Sequence, residues 1–400
     1  MFFNFCSPST ALFQIMTTFV PAGHPLNPLN SLNPLNSIIM KKLLLPLCAL
    51  CLATGAYAQE AQSLKDAYKD YFMIGVAVNQ RNISDSLQSA LVKREFNSMT
   101  AENDMKPASV HPRPDTWTWE RADRIADFCR QNGIKLRGHT LMWHNQMCDW
   151  MFYDADHHFV CKDTLFQRMR DHIHTVVNRY KDVVYCWDVF NECIADGPRR
   201  PDADGNDQPL RESKFYQICG NDEFIRKAFE YAREADPHAL LFYNDYNECD
   251  PVKCDRICTM IRSMKADGVP IDGIGMQGHY NIYGPSPEDI EAAVSKYAEV
   301  VDHIHMTELD IRVNREMGGQ LQFSHNEGAT ITDEQKHKQE EQYAALFRVM
   351  RRHADKVDCV TFWNLSDRDS WLGADNYPLP FDRNYQPKPL YRTIICVGME

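Results

Sequence analysis

At 400 residues, with 44% apolar and 24% charged side chains, the chain has the make-up of an ordinary globular protein with room for one sizeable core. Its formal charge of -12, with no Lys/Arg-rich block anywhere, excludes the electrostatic footprint of a nucleic-acid binder or of a partner for anionic membranes. An acidic chain of this kind is compatible with a neutral substrate such as a polysaccharide.

The first 58 residues do not read as fold. Residues 21–37 are a Pro/Leu/Asn near-repeat, PAGHPLNPLNSLNPLNS, without helical or strand period. Met40 is the expected start, which makes residues 1–39 an upstream extension. Lys41 and Lys42 then precede an apolar run from Leu43 to Ala53, and Ala56-Tyr57-Ala58 fits a small-x-small cleavage site. The run is shorter than the roughly 20 residues a membrane span needs. Residues 40–58 are therefore expected to be a signal peptide cut after Ala58. The expected mature protein is exported, to the periplasm or beyond, with residues 59–400 as one catalytic domain. Of the 14 cysteines, Cys6, Cys48 and Cys51 lie upstream of that cut. The odd remainder cannot all pair, contains no CxxC, and gives no zinc-site spacing with histidine. Cys186 and Cys359, inside apolar runs, read as buried thiols.

From Gln59 onward, strand-like apolar runs alternate with amphipathic helical stretches. Strands are expected at 72–78, 98–102, 136–143, 184–190, 240–243, 273–280, 303–308 and 359–365. Helices are expected at 121–132, 165–180, 222–235, 251–266, 286–298 and 332–354. Such alternation means parallel strands joined by crossover helices. Eight units without a glycine-rich phosphate loop after the first strand favour a single (β/α)8 TIM barrel over a doubly wound sheet. The segments 195–220 and 313–330 are expected as long loops.

In such a barrel the chemistry sits where strands end. Those ends carry Glu102-Asn103, His139, Trp143-His144, Asn191-Glu192, Asn244-Asp245-Tyr246-Asn247, Gln277, His279, Glu308, Asp310 and Trp363. Alternate strand residues face the same way, so Glu308 shares a face with Asp310, His139 with Trp143, and Gln277 with His279. Asn191 and Glu192 can both face the site only if their strand ends or bulges there. By the same parity, His303 and His305 should face the surrounding helices, against a metal-dependent amidohydrolase reading of that His-x-His pair. Two carboxylates on well-separated strands are the minimum kit for glycoside hydrolysis: a protonated acid with raised pKa and an ionised partner. His279 is placed to keep Glu308 charged, Asn191 to donate to a sugar 2-hydroxyl, and Trp363 and Trp371 to stack on pyranose rings. Asp188 and Asp310 read as groups that orient others.

The runs TAENDMKP (100–107), GHTLMWHNQ (138–146), WDVFNE (187–192), NDYN (244–247), GMQGH (275–279), TELDIRV (307–313) and FWNLSDRDSWL (362–372) resemble glycoside hydrolase family 10, in order and across essentially the whole mature chain. The resemblance implies a (β/α)8 barrel and an endo-β-1,4-xylanase that retains anomeric configuration, with Glu192 as acid/base and Glu308 as nucleophile. It implies that Glu102, Asn103, Lys106 and His139 bind sugar on the non-reducing side of the cut. Trp143, Asn191, Gln277, Trp363 and Trp371 would line the same region, with His279 bonded to the nucleophile and Tyr246 and Asn247 across the cut. The implied partners are xylan and xylo-oligosaccharides; a monomer is expected, and with no ion-binding motif in the sequence neither cofactor nor metal is expected. Cys148 stands where the family often has proline. The alternatives are a related retaining glycanase for cellulose or mixed glucan, and a non-catalytic sugar-binding barrel. The Lys106 and Trp371 positions favour xylose, because a C6 hydroxymethyl should clash there.

Overall fold

The computed structural model describes residues 63–201, 205, 207–314 and 331–400. The extension, leader and cleavage site read from residues 1–58 lie outside these, as does most of the 313–330 loop. Ten strands form one sheet: β1 (Met73–Val78), β2 (Ser98–Ala101), β3 (Lys135–Gly138), β4 (Met142–Trp143), β5 (Val184–Asn191), β6 (Leu240–Asp245), β7 (Gly273–Met276), β8 (His279–Asn281), β9 (His303–Arg312) and β10 (Val357–Phe362). The order β10-β1-β2-β3-β5-β6-β7-β9 closes through β10–β9, with every pairing parallel. β4 continues the stave of β3 against β5, and β8 continues that of β7 against β9. The result is a closed eight-stave parallel barrel with helices between the staves, as the alternation predicts.

The strands are buried along nearly their whole length, the pattern of a sheet covered on both faces. Three of the long helices begin where the sequence supplies side-chain caps. Asp250 accepts from Lys253 N at the head of Pro251–Ala266, and Ser286 and Thr332 close capping boxes on Pro287–Ala298 and Asp333–Arg352. Six helices lie within a few residues of the predicted ranges. Ser86–Glu95 and the C-terminal Pro389–Met399 were not foreseen; the former has four buried residues and a weak apolar stripe.

Two differences from the strand readings position the site. The runs 136–143 and 273–280 are each broken, at 139–141 and 277–278, rather than continuous. Gly278 takes φ +78 within the second break, and its surroundings leave no room for a side chain because a Cβ would overlap Met306 Sδ. β9 also carries an irregularity: between Met306 and Leu309 it spends one more residue than β10 spends between Val360 and Phe362. That extra residue corrects the parity argument for His305. The side chain does not face the helices; it is buried against Arg137 and Phe242 from strands across the barrel. Among the described residues no group of three or more His, Cys, Asp or Glu side chains could hold a metal ion. No described helix is long and apolar enough to cross a membrane.

Candidate active site

The C-terminal strand ends surround a cleft of about 590 Å³. Its walls include Lys106, His139, Trp143, Asn191, Glu192, Tyr246, Asn247, Gln277, His279, Glu308, Trp363 and Trp371, which is twelve of the fourteen residues to which the family resemblance assigns catalytic or sugar-binding roles. The other two stand beside it. Glu102 is half-buried against Asn364, and Asn103 is exposed, its Oδ1 accepting from Lys106 Nζ at 3.0 Å.

Asn191 and Glu192 both reach the cleft because β5 ends between them. Glu192 has φ +60, a left-handed conformation that a non-glycine residue adopts only when its surroundings enforce it. Here Glu192 N donates to Asn244 O at 2.9 Å, while Arg211 Nε donates to Glu192 O at 3.1 Å. The carboxylate is held by three N–H donors: Trp143 Nε1 on Oε2 at 2.9 Å, and Gln277 Nε2 at 3.0 Å and Asn191 Nδ2 at 3.1 Å on Oε1. Burial and the nearby Asp245 charge outweigh these donors and push the Glu192 carboxyl above its ordinary pKa.

Glu308 sits oppositely. The irregularity in β9 brings it to the same side as Thr307. Asn244 joins the two, donating from Nδ2 to Glu308 Oε1 at 2.8 Å and accepting from Thr307 Oγ1 at 2.7 Å. His279 Nε2 donates to Glu308 Oε2 at 3.2 Å. Burial opposes the Glu308 charge, but the His279 hydrogen bond and the fields of His139 and His279 hold its pKa below the ordinary value. His279 has a pKa near 10 despite its burial, because Asp310 meets its Nδ1 at 3.0 Å and Glu308 its other nitrogen. Asp310 Oδ2 also accepts from Trp371 Nε1 at 2.8 Å, which pins the indole across the cleft.

Asp188 performs the orienting work read for it. It receives His139 Nδ1 at 2.9 Å and is paired with the wholly buried Arg137, whose charge keeps Asp188 ionised in spite of burial. His139 therefore turns its Nε2 toward the cleft. Lys106 Nζ lies 5.0 Å from the Trp143 ring centroid and 6.0 Å from that of Trp363.

The sequence reading missed a second charged cluster. Asp196 accepts from Tyr246 Oη at 2.5 Å, Asn247 Nδ2 at 3.2 Å and Lys253 Nζ at 2.8 Å, and Arg211 Nη2 donates to Tyr246 Oη at 2.8 Å. Asp196 and Arg211 come from the 195–220 loop, where no motif marks them. Lys253 is buried on a helix and bridges Asp196 to the interior Asp245. A lysine on the face of a helical pattern that also carries Ile257 and Ile261 was the available signal.

Comparison with known proteins places this geometry. The model for glycosyl hydrolase family 10 matches residues 63–397. A Xylanibacter ruminicola protein named endo-1,4-beta-xylanase/feruloyl esterase is 54% identical over 364 residues, covering 87% of this chain and 50% of that one. This chain thus spans about half the length of that relative. Endo-1,4-beta-xylanase B of Paenibacillus barcinonensis is 41% identical over 84% of this chain and 98% of its own. A solved structure described as a psychrophilic glycoside hydrolase family 10 endo-beta-1,4-xylanase superposes with a TM-score of 0.79 at 57% identity, covering 84% of this chain and 99% of the other. With that match across the barrel, and with the paired carboxylates at its strand ends, the chain belongs to glycosyl hydrolase family 10.

Proposed function

We propose that the protein is an endo-1,4-β-xylanase that hydrolyses internal xylosidic bonds of xylan by double displacement with retention. The observation that carries this reading is two carboxyl groups in one cleft with opposite surroundings: Glu192 meets only the neutral donors Trp143, Gln277 and Asn191, while Glu308 meets the imidazole of His279. Glu192, pushed toward its neutral form, acts as general acid for the leaving oxygen and then as base for water. Glu308, held ionised, attacks the anomeric carbon. The glycosyl–enzyme ester forms as the C–O bond to the departing chain breaks, and that oxygen takes the Glu192 proton. Water then attacks the same carbon, gives its proton to Glu192 and releases Glu308.

The other cleft residues take supporting roles. Lys106, His139 and Asn191, with Glu102 and Asn103 at the edge, bind sugar hydroxyls on the non-reducing side of the cut; Trp143, Trp363 and Trp371 supply stacking surfaces. Gln277 stays on Glu192, and Tyr246 and Asn247 face the departing chain. Trp371, fixed to Asp310, crowds the space a C6 hydroxymethyl would need, which favours xylose over glucose. The names of the relatives point the same way.

The test is hydrolysis of xylan and carboxymethylcellulose, with the anomer of the first products followed by proton NMR. Fast loss of xylan viscosity and β-anomer formed first support the reading. Initial α-anomer, or faster cutting of carboxymethylcellulose, overturns it. We further infer export by cleavage after Ala58 and a monomeric enzyme. N-terminal sequencing of the exported protein and sedimentation of the mature chain test these two points.

A further inference from the structure

Glu248 lies three residues past the end of β6 and is wholly buried. Its Oε1 accepts from Gly278 N at 3.1 Å and from Tyr280 Oη at 2.6 Å. The break between β7 and β8 explains why that acceptor is needed. Gln277 N makes the last ladder bond, to Asp245 O at 3.0 Å, and the next N–H, that of Gly278, faces inward past the end of β6. A buried amide without a partner is costly, and Glu248 supplies the partner. The other edge of the turn is held by β9: Glu308 N donates to Gln277 O at 2.8 Å and Asp310 N to Gly278 O at 3.2 Å. Met306 closes the remaining side, against Gly278. Glu248 is fixed in turn, since its own carbonyl accepts from Tyr297 Oη at 2.9 Å.

This turn carries one hydrogen-bond donor to each carboxylate of the active pair. Gln277 donates to Glu192 and His279 to Glu308. We propose that Glu248 is a positioning residue for both carboxylates, acting through the Gly278 N–H and the Tyr280 hydroxyl to fix where Gln277 meets Glu192 and where His279 meets Glu308. The proposal rests on the roles assigned above to Glu192 and Glu308. The charges facing those two groups are Asp245, Asp188, His139, His279, Asp310 and Lys106; those facing Glu248 are His279 and Lys253. Changing Glu248 leaves these groups in place but removes its own carboxyl, so the moved turn is read from the difference between Glu248→Met and Glu248→Gln, which both lack the acid while only the second keeps the acceptor.

The direction of the effect follows. Loosening Gln277 takes a donor from the Glu192 carboxylate, which favours its neutral form and moves the alkaline limb of kcat/KM to higher pH. Loosening His279 takes a donor from Glu308, which raises the acid limb. Both limbs move the same way. A residue that merely holds the barrel together would lower the active fraction and leave both limbs in place.

The experiment compares Glu248→Met with Glu248→Gln, whose amide oxygen can still accept from Gly278 N and Tyr280 Oη. Mature enzyme is titrated for active sites with a 2-fluoro-xylobioside that traps the glycosyl–enzyme, and kinetics are measured on xylohexaose from acid to alkaline pH. Glu248→Met should lose roughly 10- to 100-fold in kcat per titrated site with little change in KM, and both limbs should rise, as expected for small misplacement of catalytic groups. Glu248→Gln should keep kcat within roughly threefold with the wild-type limbs, since the bonded acceptor remains. If Glu248→Met does not fold, Tyr280→Phe, which removes only the hydroxyl, should show the same upward movement of both limbs on a smaller scale. Wild-type kcat per site and unmoved limbs in a folded Glu248→Met, or in Tyr280→Phe, overturn the proposal. Glu308→Ala, run alongside, separates the two failures: if it remains active, the carboxylate assignment itself is wrong, whatever Glu248 does.

Discussion

His279 donates from Nε2 to Glu308 while its Nδ1 is held by Asp310, so one protonated imidazole lies between two buried carboxylates. With a pKa near 10 it stays charged across the working range. Replacing it by Ala removes a charge-assisted donor worth about 1.5–3 kcal/mol. Glu308 then needs a higher pH to ionise, so the acid limb of kcat/KM moves up. At neutral pH kcat/KM should fall roughly 10- to 100-fold. A His279→Ala profile with an unmoved acid limb would show that the imidazole does not control Glu308.

The two glutamates should separate by leaving group. Glu308→Ala abolishes turnover of every substrate in a protein that still unfolds cooperatively, since no nucleophile remains. Glu192→Ala loses on the order of 10²–10⁴-fold on xylan, where the leaving alcohol needs a proton. On 2,4-dinitrophenyl xylobioside the first step needs no proton, and azide should restore the second. Equal losses on both substrates for Glu192→Ala would count against its role as acid.

Trp143 gives a finer check on Glu192. Trp143→Phe keeps an aromatic face in the cleft but takes away the Nε1 donor on Glu192 Oε2. Losing a donor to the charged form favours the neutral one, so the alkaline limb should move to higher pH while the acid limb stays. The pH profile of kcat/KM on xylohexaose reads both at once.

What the sequence could and could not announce follows from range. Glu192, Glu308, His279 and Gln277 sit at or near the ends of strand-like runs, and it is this position, not the strand period, that puts them at a barrel mouth; the barrel follows from local alternation of strands and helices. Glu248 and Asp245 were invisible as partners because their roles depend on where a neighbouring strand breaks. His305 was assigned to the wrong side for a related reason: period-2 counting fails past the extra residue in β9. Arg211 and Asp196 belong to a loop with no period at all, so only the folded chain brings them to Tyr246.

Gly275 illustrates how closely the site is packed from behind. A Cβ there would overlap Asn244 Oδ1 and lie 2.9 Å from Thr307 Cγ2. Asn244 is the amide that bonds both Asn191 and Glu308. Gly275→Ala should cost about 1–3 kcal/mol in urea unfolding and should displace that amide, so activity at 25 °C falls even where the protein is fully folded. Full activity in the folded variant would mean that Asn244 is not needed to place Glu308.

The loop bearing Trp363 and Trp371 is tied to the body of the barrel by a buried pair. Asp367 Oδ2 accepts from Lys388 Nζ at 2.9 Å, and Lys388 also donates to Tyr377 O at 3.0 Å. Burial dominates both groups: it pushes Asp367 up to about 6 and Lys388 down to about 8, so neither charge is fully repaid by the other. Lys388→Met leaves a buried carboxyl without its counter-charge and should cost about 3–5 kcal/mol at neutral pH. The sign with pH is fixed. Without Lys388 the folded-state pKa of Asp367 rises further above the unfolded value, so the proton is bound more tightly in the folded state. The contribution is then fully present below the unfolded pKa and is lost as pH rises through the folded one. The deficit of Lys388→Met should therefore shrink toward acid pH and grow toward alkaline pH. Adding Asp367→Asn removes the charge but keeps an acceptor for Leu379 N, which Asp367 Oδ1 now meets at 2.9 Å. The double variant should be more stable than Lys388→Met alone and lose most of its pH dependence. Urea unfolding of both variants at several pH values measures this, and a Lys388→Met deficit that is flat with pH would show that Asp367 does not carry the buried charge.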